Sequence, residues 1–242
     1  MRAHRRESKG QPPRIWTDLL GPLLVVSSAW FGASLLGENL GAPLGLGPLS
    51  HHMTQHILLM NVAAPLGALV MLRLSSNFPR ATGRRTVGAG LLAAATVMQI
   101  ALLWSWHLPP AFSAAGNDPA LMAVMHLSLF IVALWFWMAV LGTGTAGRWQ
   151  SILSLLLTGK LFCLLAVILV FAPRPLYPLF SHHGAQPASL AAALEDQQLA
   201  GLMMVVACPL TYVLAGVILA TRWLYELERE GVARPPLAVS GQ

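Results

Sequence analysis

The chain has 242 residues, 56% of them hydrophobic and only 10% charged. A soluble domain carries about 25% charged residues, so this balance, with a mean hydropathy of +0.64, excludes a water-soluble fold and implies an integral membrane protein. The net charge of +6, carried by 13 arginines and two lysines, reads in such a chain as membrane topology and not as a nucleic-acid footprint.

Residues 1–15 form a basic tail, and the first apolar run, 16–36, is nearer span length than the core of a secretory signal. Glu38 and a Gly/Pro-rich loop lead to the second span, 50–72, which opens Ser50-His51-His52-Met53-Thr54-Gln55-His56. His52 and His56 are four apart, so a helix stacks them on one face about 6 Å apart along its axis, where two imidazoles converge on one metal ion. Met60 extends that stripe, with Met53 beside it. Ionisable groups inside a span default to a functional reading; His51, at the helix end, reads as interfacial. Pro65 takes away the donor that the Asn61 carbonyl would use and predicts a kink there, with Asn61 as a buried packing group.

A basic loop holding Arg73, Arg80, Arg84 and Arg85 precedes the third span, 87–106. That span ends in Trp104-Ser105-Trp106-His107-Leu108-Pro109-Pro110, whose tryptophans read as an interfacial belt. The fourth, 120–141, contains His126 and ends in Trp135-Phe136-Trp137. The fifth, 151–172, contains Lys160, which reads as snorkelling to the inner interface and is assigned no role. A connection with Pro175, Tyr177, Pro178, His182 and His183 leads to the sixth span, 196–221, and a tail, 222–242. Cys163 and Cys208 lie in apolar runs with no CxxC spacing, so no disulfide framework or thiol metal motif is indicated.

The expected fold is therefore all-α: one polytopic transmembrane bundle of six helices in a lipid bilayer. With the N-terminus inside, 13 of the 15 Lys/Arg fall on the inner side; Arg174 is outside and Lys160 within a span. Both termini are thus expected in the cytoplasm. This topology gathers seven of the eight histidines at the outer face: His51, His52, His56, His107, His126, His182 and His183, together with Asp118 and Asp196. Neutral imidazole suits copper, zinc and iron, and thioethers such as Met122, four before His126, favour Cu(I).

Several segments resemble one family in order along the chain. They are His52-Met53-Thr54-Gln55-His56 with Ala64-Pro65-Leu66, Trp106-His107-Leu108-Pro109, His126 ahead of a Phe-Trp helix end, Pro175-Leu176-Tyr177-Pro178, and Asp196-Gln197-Gln198-Leu199-Ala200-Gly201. The chain is similar here to the CtaG family of cytochrome c oxidase assembly factors. It departs from the pattern as we know it at Ala111-Phe112, where a Tyr-Asp pair is expected, and in its compact length. The resemblance implies a multi-pass protein of the bacterial plasma membrane, not an enzyme, that helps to mature haem–copper oxidase. Copper delivery is the implied role, with an oxidase subunit and a periplasmic copper donor as partners. On that resemblance His52, His56, His107 and His126 are the metal ligands. Two other functions fit some of the same residues. A membrane haem protein would use these histidines as axial ligands, but no CxxCH attachment motif exists. A copper permease would need ligating groups continuing to the inner face.

Overall fold

The computed structural model describes residues 43–76, 87–177 and 189–233, with scattered positions between 24 and 35. The scattered positions are helical, and Trp30 packs edge-on against Phe130 with ring centroids 5.6 Å apart. The rest of the expected first span, residues 1–15, residues 77–86 of the basic loop, residues 234–242 of the tail, and His182 and His183 lie outside the described residues.

Every regular element among the described residues is helical. Helix α1 (Pro48–Ile57) passes through a π-helical stretch, Leu58–Ala63, into α2 (Ala64–Ser76). Then come α3 (Ala89–Trp106), α4 (Pro109–Asn117), α5 (Pro119–Gly142), α6 (Arg148–Phe171) and α7 (Leu190–Ala233). Five stretches among the described residues are long and apolar enough to cross a bilayer: Pro48–Leu74, Ala89–Trp106, Pro119–Gly142, Thr145–Phe171 and Leu190–Glu230. The fold is the expected all-α transmembrane bundle.

Its surface is apolar where a soluble protein's is charged: Val97, Phe171, Val206 and Leu210 point outward, whereas Gln99 and Asn61 are buried. Lipid cannot hydrogen-bond, so interior polar groups pair with one another. Gln99 Nε2 donates to the Tyr212 hydroxyl (2.7 Å), and Asn61 Nδ2 donates to Cys208 Sγ (3.5 Å). Helices α6 and α7 pack along their length, and α1 lies on α7, α2 on α5, and α3 on both α5 and α6. Gly201 brings α7 so close to α6 that a Cβ would press on the Ala166 carbonyl, the small-residue contact that membrane helices use.

The proline defect takes a specific form. Ala64 N–H reaches back to Leu59 O, a π-type bond, and Pro65 has no N–H. The carbonyl left without a helical donor is therefore that of Met60, and Trp137 Nε1 donates to it at 3.1 Å. Trp137 is thus a buried strut. Trp106 also reaches inward, its indole N–H donating to Ser128 Oγ (3.0 Å), so these rings tie helices together rather than forming only a belt. One further feature lay beyond the sequence reading: the loop after His107 folds as α4. Helix α7 runs through Pro209, as a sixth span over 196–221 requires.

Candidate metal centre

Helix α1 begins with Gly47 as N-cap and Pro48 in its first turn, and its own sequence supplies no capping side chain. The cap comes from α7 instead. The Asp196 carboxylate accepts from Leu49 N–H (2.8 Å), Ser50 N–H (3.1 Å) and Ser50 Oγ (2.5 Å). A negative charge on the free N–H groups of a helix start is favourable both as hydrogen bonding and against the helix dipole. Glycine at 47 is what lets the carboxylate in, because a Cβ there would run into Asp196. Gly47→Ala should displace that cap and lower stability by about 1–3 kcal/mol, as overpacking does; thermal unfolding of the detergent-solubilised protein measures it.

Two residues beyond Ser50 the histidine stripe begins. The rings of His52 and His56 lie with centroids 4.3 Å apart, as their spacing requires. Helix α5 brings His126 against both, its ring centroid 5.0 Å from each. One nitrogen from each of the three falls within 4.8 Å of the others. His52 and His56 are 4% exposed, and His126 is half-buried. Both ring nitrogens of His56 and Nε2 of His126 are buried with no hydrogen-bond partner among protein atoms. Leaving such a group unsatisfied costs about 1–3 kcal/mol, and a cation accepting their lone pairs removes that cost. The donor set fits a soft or borderline metal ion.

His107 stands beside this trio and does not join it, its ring centroid 5.6 Å from that of His56. Nδ1 donates to the Leu103 carbonyl at 2.7 Å. A carbonyl only accepts, so Nδ1 carries the proton and Nε2, buried and unpartnered, presents its lone pair. Burial pushes this imidazole down to about 4, against the Leu103 hydrogen bond, which raises it.

The wall of the centre is aromatic. Phe112 is fully buried, edge-on to His52 at 5.1 Å, tilted on His107 at 5.6 Å and against Tyr177 at 4.1 Å. It arrives on α4, which Pro109 and Pro110 start, proline being preorganised for a first turn. Tyr177 donates its hydroxyl to the His107 carbonyl (2.7 Å), and burial raises its pKa, keeping it a donor. Gln197, next to the capping Asp196, accepts from Leu176 N–H (2.6 Å) and donates to Leu169 O (3.2 Å), fastening the Tyr177 segment to α6 and α7.

A family model for cytochrome c oxidase caa3 assembly factors matches residues 33–226, which include every residue of this centre. The chain belongs to the CtaG family. No curated protein and no solved structure matches it.

In this CtaG-family chain, three of the four histidines singled out in the sequence meet, and the fourth, His107, lies one ring away. His51 is half-buried at the start of α1 and is not among the three clustered imidazoles. Asp118 has a local task, its side chain accepting from Ala120 N–H (2.8 Å) to cap α5. Sequence reasoning missed Phe112 as the wall, Tyr177 as the brace of His107 and Asp196 as the cap of α1. The Pro-Pro pair after His107 was a usable signal for α4. A cap that arrives from 146 residues away leaves no local signal.

Proposed function

We propose that this oxidase assembly factor carries copper on His52, His56 and His126, with His107 as a further ligand, and passes the ion to an oxidase subunit. The observation that carries the reading is the convergence of three imidazole nitrogens within 4.8 Å, two of the rings having buried nitrogens with no protein partner. Metal–nitrogen bonds are about 2 Å, so a small inward movement of each ring closes the site. Three firm ligands leave a position for an incoming donor or acceptor group, which suits an ion that must be released. Copper is preferred over zinc because the family serves an oxidase whose maturation needs it.

Haem fits less well. An iron flanked by two imidazoles holds their nitrogens about 4 Å apart on opposite sides of a macrocycle. Rings with centroids 4.3 and 5.0 Å apart, and a third in the same space, leave no slot for one. Transport is disfavoured because the clustered imidazoles are not continued by further ligating groups among the described residues, and Asn61 and Gln99 further along the bundle donate to Cys208 and Tyr212.

The direct test is to load purified protein with Cu(I) or Cu(II) and read the ligands by X-ray absorption. Nitrogen scattering characteristic of imidazole at one copper per chain is expected; absence of tight copper, or a Soret band from co-purified haem, rules the reading out. The centre is assigned to the periplasmic side of the bacterial plasma membrane on the charge distribution. Reporter fusions after Arg85 and Arg148 should therefore read cytoplasmic, and fusions at Gly45 and Asp118 external. The reverse pattern would place the copper site on the cytoplasmic face.

A further inference from the structure

Lys160 sits at the centre of α6, twelve residues after Arg148 and eleven before Phe171. At 1.5 Å per residue it is about 17 Å from either end of the helix, in a bilayer whose hydrocarbon layer is about 30 Å thick. Its side chain is exposed and makes no ion pair among the described residues. The snorkelling expected from sequence does not work at this depth, since the five bonds from Cα to Nζ, each about 1.5 Å, fall well short of an interface.

Beside it a cavity of about 110 Å³ opens between α6 and α7, lined by Leu155, Gly159, Lys160, Cys163, Pro209 and Val213. Leu156, which also lines it, is an exposed apolar side chain, as is Leu210, next in sequence to Pro209. The site is an apolar groove at mid-membrane with one cation in it. A cation facing hydrocarbon is costly and calls for a countercharge. This chain does not supply one: its nine Asp/Glu all lie at the ends of apolar runs or outside them. The same distribution argues against a second copy as the occupant, and the depth argues against a phospholipid headgroup.

The geometry points to the α6–α7 groove around Lys160 as the docking site for a membrane-spanning helix of another protein, one carrying a carboxylate near the bilayer centre. Membership of an oxidase assembly family makes that helix part of an oxidase subunit. The assignment is independent of the copper reading.

The test uses the full chain in its own membranes, with a photoreactive amino acid at Val213. A crosslink to a membrane helix of an oxidase subunit is expected. Lys160→Met should cut its yield at least tenfold, and Lys160→Arg should retain it. Copper bound per chain should be unchanged in Lys160→Met, so a failure of the copper site and a failure of docking are separable. Should Lys160→Met not accumulate, Val213→Trp, which fills the groove and keeps the charge, should lower co-purification of the oxidase subunit to the same degree. Crosslinks only to phospholipid, crosslinks only to a second copy, or an oxidase crosslink indifferent to Lys160→Met would each overturn the assignment.

Discussion

His56→Leu should abolish copper binding while leaving the metal-free protein as stable as the parent, or more so. His56 is the centre of the cluster, touching His52, His107 and His126. Its two buried nitrogens have no partner in the protein. Replacing a buried unsatisfied group by an apolar one of similar shape is neutral or stabilising, so Leu removes a liability from the metal-free state. In the loaded state it removes a ligand. Loss of groups that merely orient ligands costs about 10–100-fold in metal affinity, and loss of a ligand should cost at least the upper end of that. Copper at 100 times its dissociation constant should stabilise the parent by about 2.7 kcal/mol, and this increment should vanish in His56→Leu. His107→Ala, outside the trio, should retain part of it. Thermal unfolding with and without copper reads all three proteins. A variant that keeps the copper-dependent rise would remove His56 from the site. Acid should release the ion, because protonated imidazole does not ligate. His107, held near 4 by burial, should be among the later groups to protonate.

Much of this was legible in the sequence because membrane proteins expose their constraints in one dimension. Span length and charge bias yield a helical bundle, and helix periodicity alone places His52 over His56. The meeting of those two with His126 was not legible. It depends on how α5 packs on α2 and on the π-helical stretch that continues α1, through distributed contacts such as Trp137 reaching the Met60 carbonyl. That bond exists because a π turn shifts the unpaired carbonyl by one residue from the position a simple proline rule gives. The short helix α4 was hidden by its setting between two spans, although its Pro-Pro start is an ordinary signal. The Asp196-Gln197 pair stood out as a motif without a role because both residues act on distant backbone, at Leu49, Ser50, Leu176 and Leu169.

Asp196→Ala should uncouple α7 from the histidine helix and weaken copper binding without touching a ligand. Removing the carboxylate leaves Leu49 N–H and Ser50 N–H without that acceptor, and the Ser50 hydroxyl with only the Gly47 carbonyl. Loss of a helix cap costs about 0.5–2 kcal/mol, and hydrogen bonds to a charged group are worth about 1.5–3 kcal/mol. These overlap, so a destabilisation of about 2–3 kcal/mol is expected, in the upper part of the range for Gly47→Ala, which displaces the same cap. Asp196→Asn keeps one acceptor oxygen and loses the charge that opposes the helix dipole, so it should fall between parent and Ala. The consequence for the metal follows from position. His52 lies two residues beyond Ser50, in the turn that Asp196 fixes, and its ring must stay 5.0 Å from that of His126 on another helix. Fraying this turn makes His52 pay an ordering cost on binding, which should lower copper affinity about 10–100-fold, the range for groups that orient ligands. The order parent, Asn, Ala should hold for both stability and affinity. An Asp196→Ala protein that loses stability yet binds copper with parental affinity would show that the cap holds the bundle but does not set the site.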